Sequence, residues 1–220
     1  MTADTSSGHR IPAKPHVTLT AQYFEAVTYA SSLHAHQVRK GKDTAYICHP
    51  LGVSALVLEA NGDEDQAIIG LLHDAAEDCG GEKILVDIHK RFGVRVAEGV
   101  RGCSDSLVED PLLKLPWEVR KNEHFEHLRS AASDDVIIVT AADKLHNARA
   151  IWTDLQIDGV DALVPFKFPS KVTWYYEQML SILKERQAPT ILTRQLDDVV
   201  KAIRVFVGGK PLPPPRDPNA

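Results

Sequence analysis

From about Thr20 to Val207, apolar residues recur at three- and four-residue spacing in nearly every segment. Two-residue alternation is scarce, so the chain is predicted to be all-α. Thr20 is a candidate N-cap for a first helix running to about His36, and Gly41 lies in a polar loop beyond it. A second helix is predicted after Pro50, stopping near Gly62. A third, from about Glu64 to Asp78, carries Ala67, Ile68, Leu71, Leu72 and Ala75 on its apolar side and ends before Gly80 and Gly81. Helices over about Glu82 to Phe92 and Val94 to Cys103 follow, separated by Gly93. A loop through Pro111 and Pro116 then leads to a helix ending near Ser133.

The run VIIVT, Val136 to Thr140, favours a strand by propensity alone. Ser133 and the aspartates after it nevertheless have the form of a helix start. Apolar spacing continues through Ile138, Ala141, Ala142, Leu145 and Ala148, which predicts a buried helix to about Trp152. Two amphipathic helices, about Ser170 to Arg186 and Thr190 to Val207, complete the set, the last ended by Gly208 and Gly209.

The two ends break this pattern. Residues 1–18 are rich in Ser, Pro and small polar residues, and residues 209–220 carry a proline run that cannot continue a helix. Both are expected to be flexible tails around one domain spanning residues 19–208. With 220 residues, 44% of them hydrophobic, the chain can bury a single well-formed core. No apolar run approaches the roughly 20 residues that span a bilayer, and the start of the chain lacks the blocks of a signal peptide. A soluble, cytoplasmic protein with no membrane partner is expected. Cys48, Cys79 and Cys103 are too irregularly spaced for a disulfide framework or a zinc ribbon and read as reduced thiols. A net charge of −5 gives no global field for a nucleic-acid polymer. Any anionic substrate must be held by local positive charge, which favours a small phosphorylated ligand.

Three segments carry candidate chemistry. In LLHDAAED, His73 and Asp74 are adjacent, with Glu77 and Asp78 each four positions later. On a continuous helix all four fall within an arc of roughly 140°. Carboxylates this close repel one another, and a divalent cation is the simplest counter-charge. The plainer alternative is a solvated acidic turn, but acidic residues oppose the macrodipole at a helix C-terminus, and the flanking Leu and Ala pairs place the cluster beside core positions. In TAADKLHN, Asp143 and Asn147 share one face of an otherwise apolar helix, where an Asp is costly unless it pairs with a cationic side chain or binds a metal. In YICHP, His49 stands at the start of the second helix, within reach of His73.

His49, His73, Asp74 and Asp143 together make a mixed nitrogen and oxygen set suited to one ion of Mn²⁺, Fe²⁺, Zn²⁺ or a similar metal. Such an ion activates water and polarises a phosphoryl oxygen. Glu77 and Asp78 remain to orient that water or shuttle its proton. Arg39, Lys40 and Lys42 precede the metal histidine, as a solvated loop or as a grip on a phosphate-rich ligand.

The segments RKGKDTAYICHP, LLHDAAED and TAADKLHN, in this order and at these separations, resemble the hydrolase domain of the RelA/SpoT alarmone enzymes, above all the stand-alone small alarmone hydrolases. The similarity runs from about Tyr23 to Leu183. It implies a single HD-domain helical bundle that removes the 3′-pyrophosphate of guanosine tetra- or pentaphosphate, usually with Mn²⁺. Matched to the family's motifs, His49, His73, Asp74 and Asp143 are the metal ligands and Glu77 and Asp78 the catalytic pair. Arg39 and Lys40 flank the base, Asn147 contacts the sugar or phosphate region, and Tyr175 is an aromatic of the substrate pocket.

The chain departs from the family at Ala45, where the usual motif has Pro, in a short linker between Lys40 and Tyr46, and at Trp117, near where some small hydrolases carry a lysine. Nothing beyond the hydrolase region is left for a synthetase domain, so alarmone synthesis is not expected. Two other readings remain open. The same metal chemistry can act on another nucleotide, such as the 2′-phosphate of NADPH, or the fold can bind alarmone without turning it over. Monomer and homodimer are both open.

Overall fold

The computed structural model describes residues 17–108, 113 and 115–214. Pro111 of the expected loop, residues 1–16 and residues 215–220 lie outside the described residues. The described chain is α-helical, with no strand and one isolated bridge between Val38 and Ala45.

Helix α1 (Ala21–Leu33) starts at Thr20, whose side chain accepts a hydrogen bond from the Gln22 amide. It stops short of the expected His36, and the His34 amide caps it on Ala30 O. Helix α2 (Cys48–Glu59) begins ahead of Pro50, which occupies the first turn, where a missing N–H costs no helix bond. Helix α3 (Glu64–Leu72) opens with a reciprocal capping box between Asp63 and Gln66.

The expected continuous helix from Glu64 to Asp78 is broken. Helix α3 ends at Leu72, and a separate short helix, α4 (Ala75–Cys79), starts after Asp74. At the junction His73 Nδ1 bonds to Gly70 O at 2.9 Å, so a side chain takes a carbonyl that the helix ladder would use. Helix α5 (Gly81–Cys103) is interrupted at Gly93, where φ of 87° and ψ of 174° suit glycine. Helix α6 (Trp117–Ser130) leads to α7 (Asp134–Asp158), and α8 (Val172–Glu185) and α9 (Thr190–Val207) close the bundle.

Helix α7 is the spine. Ser133 caps it as expected, and it runs beyond Trp152 to Gly159, whose φ of 64° ends it. Every residue from Val136 to Asp143 is buried, which explains why VIIVT is helical: β-branched side chains here fill a core on all sides, and packing overrides propensity. Helices α2, α3, α5, α8 and α9 all pack on α7. Leu145 and Leu155 are fully buried in it, each contributing about 2 kcal/mol by burial. Arg95 ties the starts of α3 and α7 to α5 through Asp63, Asp65 and Asp135. Beyond α9, Leu212 packs against the core. No helix among the described residues is long and apolar enough to cross a membrane.

Candidate functional site

The α3–α4 junction, the first turn of α2 and the middle of α7 meet at one point. His49 Nε2 lies 3.2 Å from Asp143 Oδ1 and 3.5 Å from Asp74 Oδ2, and His73 Nε2 lies 3.1 Å from Asp74 Oδ2 and 3.8 Å from Asp143 Oδ1. Single ligand atoms of His49, His73 and Asp74 fall within 4.8 Å of one another, and Asp143 joins them from α7. Both imidazoles are almost wholly buried.

Hydrogen bonds set which ring nitrogens face the cluster. Gly70 O can only accept, so His73 Nδ1 carries a proton and Nε2 is left to face the cluster, holding a second proton when the ring is charged and offering its lone pair when a metal replaces that proton. That Nε2 is buried and has no hydrogen-bond partner, the condition of a metal-ligand atom. His49 Nδ1 meets His146 Nδ1 at 2.9 Å; for His49 Nε2 to present a lone pair, Nδ1 must donate and His146 accept. Burial, then the neighbouring His49 and the Arg39 charge, push the His146 imidazole down to about 4, keeping it neutral and able to accept. Gly52 makes room for this contact: a Cβ there would lie 2.3 Å from the His146 ring.

Burial opposes charge on His73, yet Asp74 and Asp143 draw its imidazole well above the ordinary range. The carboxyls of Asp74 and Asp143 are held well below theirs despite burial, Asp74 chiefly by His73 and Asp143 chiefly by Lys144. The cluster thus attracts positive charge strongly, whether a proton or a metal ion, and its donor set fits a divalent cation. Tyr46 steadies it by donating its hydroxyl to Asp74 Oδ2.

Asp143 is held from two further sides. Lys144 Nζ donates to Oδ2 at 2.6 Å, and Asn147 Nδ2 donates to Oδ1 at 2.5 Å. Asn147 Oδ1 in turn accepts from Arg39 Nη2 at 2.5 Å. The Arg39 loop is folded back onto the site by the Val38–Ala45 bridge, and Gly41, at φ of 74°, sits so close to Pro165 that a Cβ would clash at 2.6 Å. Lys40 lies over the Phe166 ring at 5.5 Å.

A cavity of about 50 Å³ opens beside Asp74 and Asp143. Acidic Glu77 and Asp105 and basic Lys121 and Lys144 line it, with His124 among them. Burial and the two lysines push the His124 imidazole down to about 3, so it adds no charge. The volume suits a phosphoryl group and is too small for a nucleoside, since pockets for whole small ligands start at roughly 300 Å³. Tyr175 lies under the cavity's cations, with Lys121 Nζ 5.6 Å and Lys144 Nζ 5.9 Å from its ring centre, and it stacks on Phe125.

Glu77 and Asp78 are consecutive on α4 and so point to different surroundings. Glu77 faces the cavity as a hydrogen-bond neighbour of Asp105. Asp78 is not among the residues lining the cavity; it is exposed, and its Oδ2 accepts from Gln37 Nε2 at 2.8 Å. Partial desolvation raises the Asp78 carboxyl, Gln37 opposes this, and the Asp74 charge adds to it.

Sequence reasoning missed His146, Asp105, Lys121, Lys144 and His124. His146 and Lys144 stood inside a quoted motif, and the small residue Gly52 three positions after His49 was the available signal. Asp105 accepts from Arg120 Nη1 at 2.5 Å and from Lys121. Burial raises this carboxyl, but Lys121 and then Arg120 outweigh it and bring it from 3.8 to about 2. A depressed carboxyl stabilises the fold above its ordinary pKa, and the gain, about 2 kcal/mol, is lost as pH falls from about 4 towards 2. Asp105→Asn is therefore expected to lower the urea-unfolding free energy by about 2 kcal/mol at pH 7, with the gap to wild type narrowing below pH 4. An equal gap at pH 7 and pH 3 would assign the loss to packing.

Residues 26–160 match the HD domain family, and the chain belongs to that family. Within it, the chain is similar to guanosine-3′,5′-bis(diphosphate) 3′-pyrophosphohydrolase MESH1 of Xenopus tropicalis, 34% identical over 132 residues, or 59% of this chain and 69% of that protein. It is also 32% identical over 129 residues to a guanosine-3′,5′-bis(diphosphate) 3′-pyrophosphohydrolase of Aquifex aeolicus (strain VF5), covering 58% of this chain but 17% of that longer protein. Among solved structures it resembles a metazoan orthologue of SpoT described as hydrolysing ppGpp and acting in starvation responses. The TM-score is 0.67 at 25% identity, over 84% of this chain and 97% of that one. The family resemblance read from the three motifs is borne out.

Proposed function

We propose that this chain hydrolyses the 3′-pyrophosphate of guanosine tetra- or pentaphosphate, giving GDP or GTP and pyrophosphate. The observation that carries this reading is the bare, buried Nε2 of His73, aimed into a carboxylate and imidazole cluster beside a phosphate-sized cavity with two lysines. The named activities of the Xenopus and Aquifex relatives support the choice of substrate.

In this reading His49, His73, Asp74 and Asp143 hold one divalent ion, Mn²⁺ by analogy with the family. When bound, such an ion lowers the pKa of water and offsets charge on a phosphoryl oxygen. Glu77 and Asp78 orient the attacking water and take its proton. The water oxygen bonds to the phosphorus attached to the 3′ oxygen, the bond between that phosphorus and the 3′ oxygen breaks, and the ribose leaves with a protonated 3′-hydroxyl as pyrophosphate departs. Lys121 and Lys144 balance the charge of the pyrophosphate, with Tyr175 beneath them. The nucleoside extends outward, where Arg39 and Lys40 flank the base and Asn147 links Arg39 to Asp143. The catalytic unit spans residues 19–208 and works in the cytoplasm on a small nucleotide.

Purified protein with Mn²⁺ is expected to release GDP and pyrophosphate in equal amounts from guanosine tetraphosphate. No release with Mn²⁺, Fe²⁺, Zn²⁺ or Mg²⁺ would overturn the proposal, and faster release of phosphate from NADPH would move it to another nucleotide.

His146 gives a separate check on the ligand set. Loss of its hydrogen bond to His49 by His146→Leu is expected to weaken Mn²⁺ binding about 10- to 100-fold in calorimetry. An unchanged affinity would mean that His49 is oriented without it.

A further inference from the structure

Behind Asp78 runs a second layer of side chains that the reaction itself does not use. Gln37 Nε2 donates to Asp78 Oδ2 at 2.8 Å, and Gln37 Oε1 lies 2.7 Å from His34 Nδ1. An ionised Asp78 only accepts, so the Gln37 amide group must face it. The Gln37 carbonyl oxygen then faces His34, whose Nδ1 must donate. The order is therefore directional, from His34 through Gln37 to Asp78.

Each member is fixed by something other than the site. His34 is 2% exposed, lies 4.9 Å from the Tyr46 ring and has Cys79 Sγ 3.8 Å from Nδ1. The Gln37 backbone is held at both ends, its amide on His34 O at 3.1 Å and its carbonyl by the Tyr46 amide at 2.9 Å. Tyr46 in turn donates to Asp74. The His34 ring thus stands between two routes, one through Tyr46 to Asp74 and one through Gln37 to Asp78. Asp78 needs such a tether: it is exposed, and the terminal torsion of an aspartate is broad, so an untied carboxylate would turn freely.

We propose that Gln37 and His34 are positioning residues that aim the Asp78 carboxylate at the reacting water from the end of α1. This rests on the reading of Asp78 as a catalytic residue and deepens it, because the site then depends on a loop outside the metal-ligand segments.

The test compares Gln37→Met, His34→Phe and His34→Asn. Gln37→Met keeps length and removes the polar end; its kcat is expected to fall about 10- to 100-fold, with KM and Mn²⁺ affinity within about twofold of wild type. His34→Phe keeps a ring against Tyr46 without the donor and is expected to match it. His34→Asn restores an N–H near the Nδ1 position and is expected to sit closer to wild type than to His34→Phe. A wild-type kcat in Gln37→Met, a loss carried by KM or Mn²⁺ affinity, or equal loss in both His34 variants would overturn the proposal. Crystal structures of wild type and Gln37→Met with Mn²⁺ give a readout without turnover. Asp78 is expected in a changed or spread orientation in the variant, and an unchanged one would also overturn it. If wild type releases no pyrophosphate, the functional reading falls, and this crystallographic comparison still decides the tether.

Discussion

Asp74→Asn is expected to lower pyrophosphate release by at least about 10³-fold, the equivalent of roughly 4 kcal/mol of transition-state stabilisation. Asp74 is the residue on which the cluster converges. Its Oδ2 lies 3.1 Å from His73 Nε2 and 3.5 Å from His49 Nε2, and the same oxygen accepts from Tyr46. Asparagine keeps the shape but replaces a charged oxygen by a neutral one. An asparagine oxygen in the shared Oδ2 position brings no charge to a bound cation, and an amide nitrogen placed there would meet the Tyr46 hydroxyl and both imidazoles and could not act as a ligand.

The fold should survive, because Asp74 lies in the junction between α3 and α4 and caps neither with its side chain. Far-UV circular dichroism is expected to match wild type. The discriminating measurement is thermal stability with Mn²⁺. At a hundredfold excess over its dissociation constant, an ion bound only by the folded state adds about 2.7 kcal/mol, and the variant should lose most of that gain. Full turnover, or an unchanged Mn²⁺-induced rise in Tm, would remove Asp74 from the ligand set.

Much of this site can be read from sequence because its chemistry lies in short segments. His73 and Asp74 are neighbours, Asp143 and Asn147 share a helix face, and the apolar context around them implies burial. The helical state of VIIVT was legible for a similar reason, since Ser133 and the spacing beyond it are local. What escaped was set by partners distant in the chain. Arg39 finds Asn147 across 108 positions and His49 finds His146 across 97, and no periodicity encodes either pairing. The break at His73 escaped for another reason. A helix wheel treats side chains as passengers, whereas here the imidazole takes Gly70 O, α3 ends before Asp74, and Glu77 and Asp78 lie on a separate short helix.

Lys144→Met is expected to separate the two kinds of positive charge at this site. The ammonium is only 17% exposed, donates to Asp143 Oδ2 at 2.6 Å and lies over the Tyr175 ring. Burial would lower its pKa, but Asp143 and then Tyr175 hold it well above the ordinary range. Methionine fills similar space and leaves Asp143 with one cationic neighbour fewer, so metal-free protein should lose about 3 kcal/mol, as when one partner of a buried pair is removed. Mn²⁺ would supply the missing charge, so the destabilisation should shrink on adding metal, and Mn²⁺ affinity should hold or rise because a competing cation is gone. Turnover should move the opposite way: Lys144 also lines the cavity, and losing its charge opposite the departing pyrophosphate should lower kcat/KM about 10²- to 10³-fold. Tighter metal binding with slower turnover is a pairing that a merely structural lysine would not produce. Weaker Mn²⁺ binding together with an unaltered kcat/KM would place Lys144 in the scaffold of Asp143 and outside the phosphate subsite.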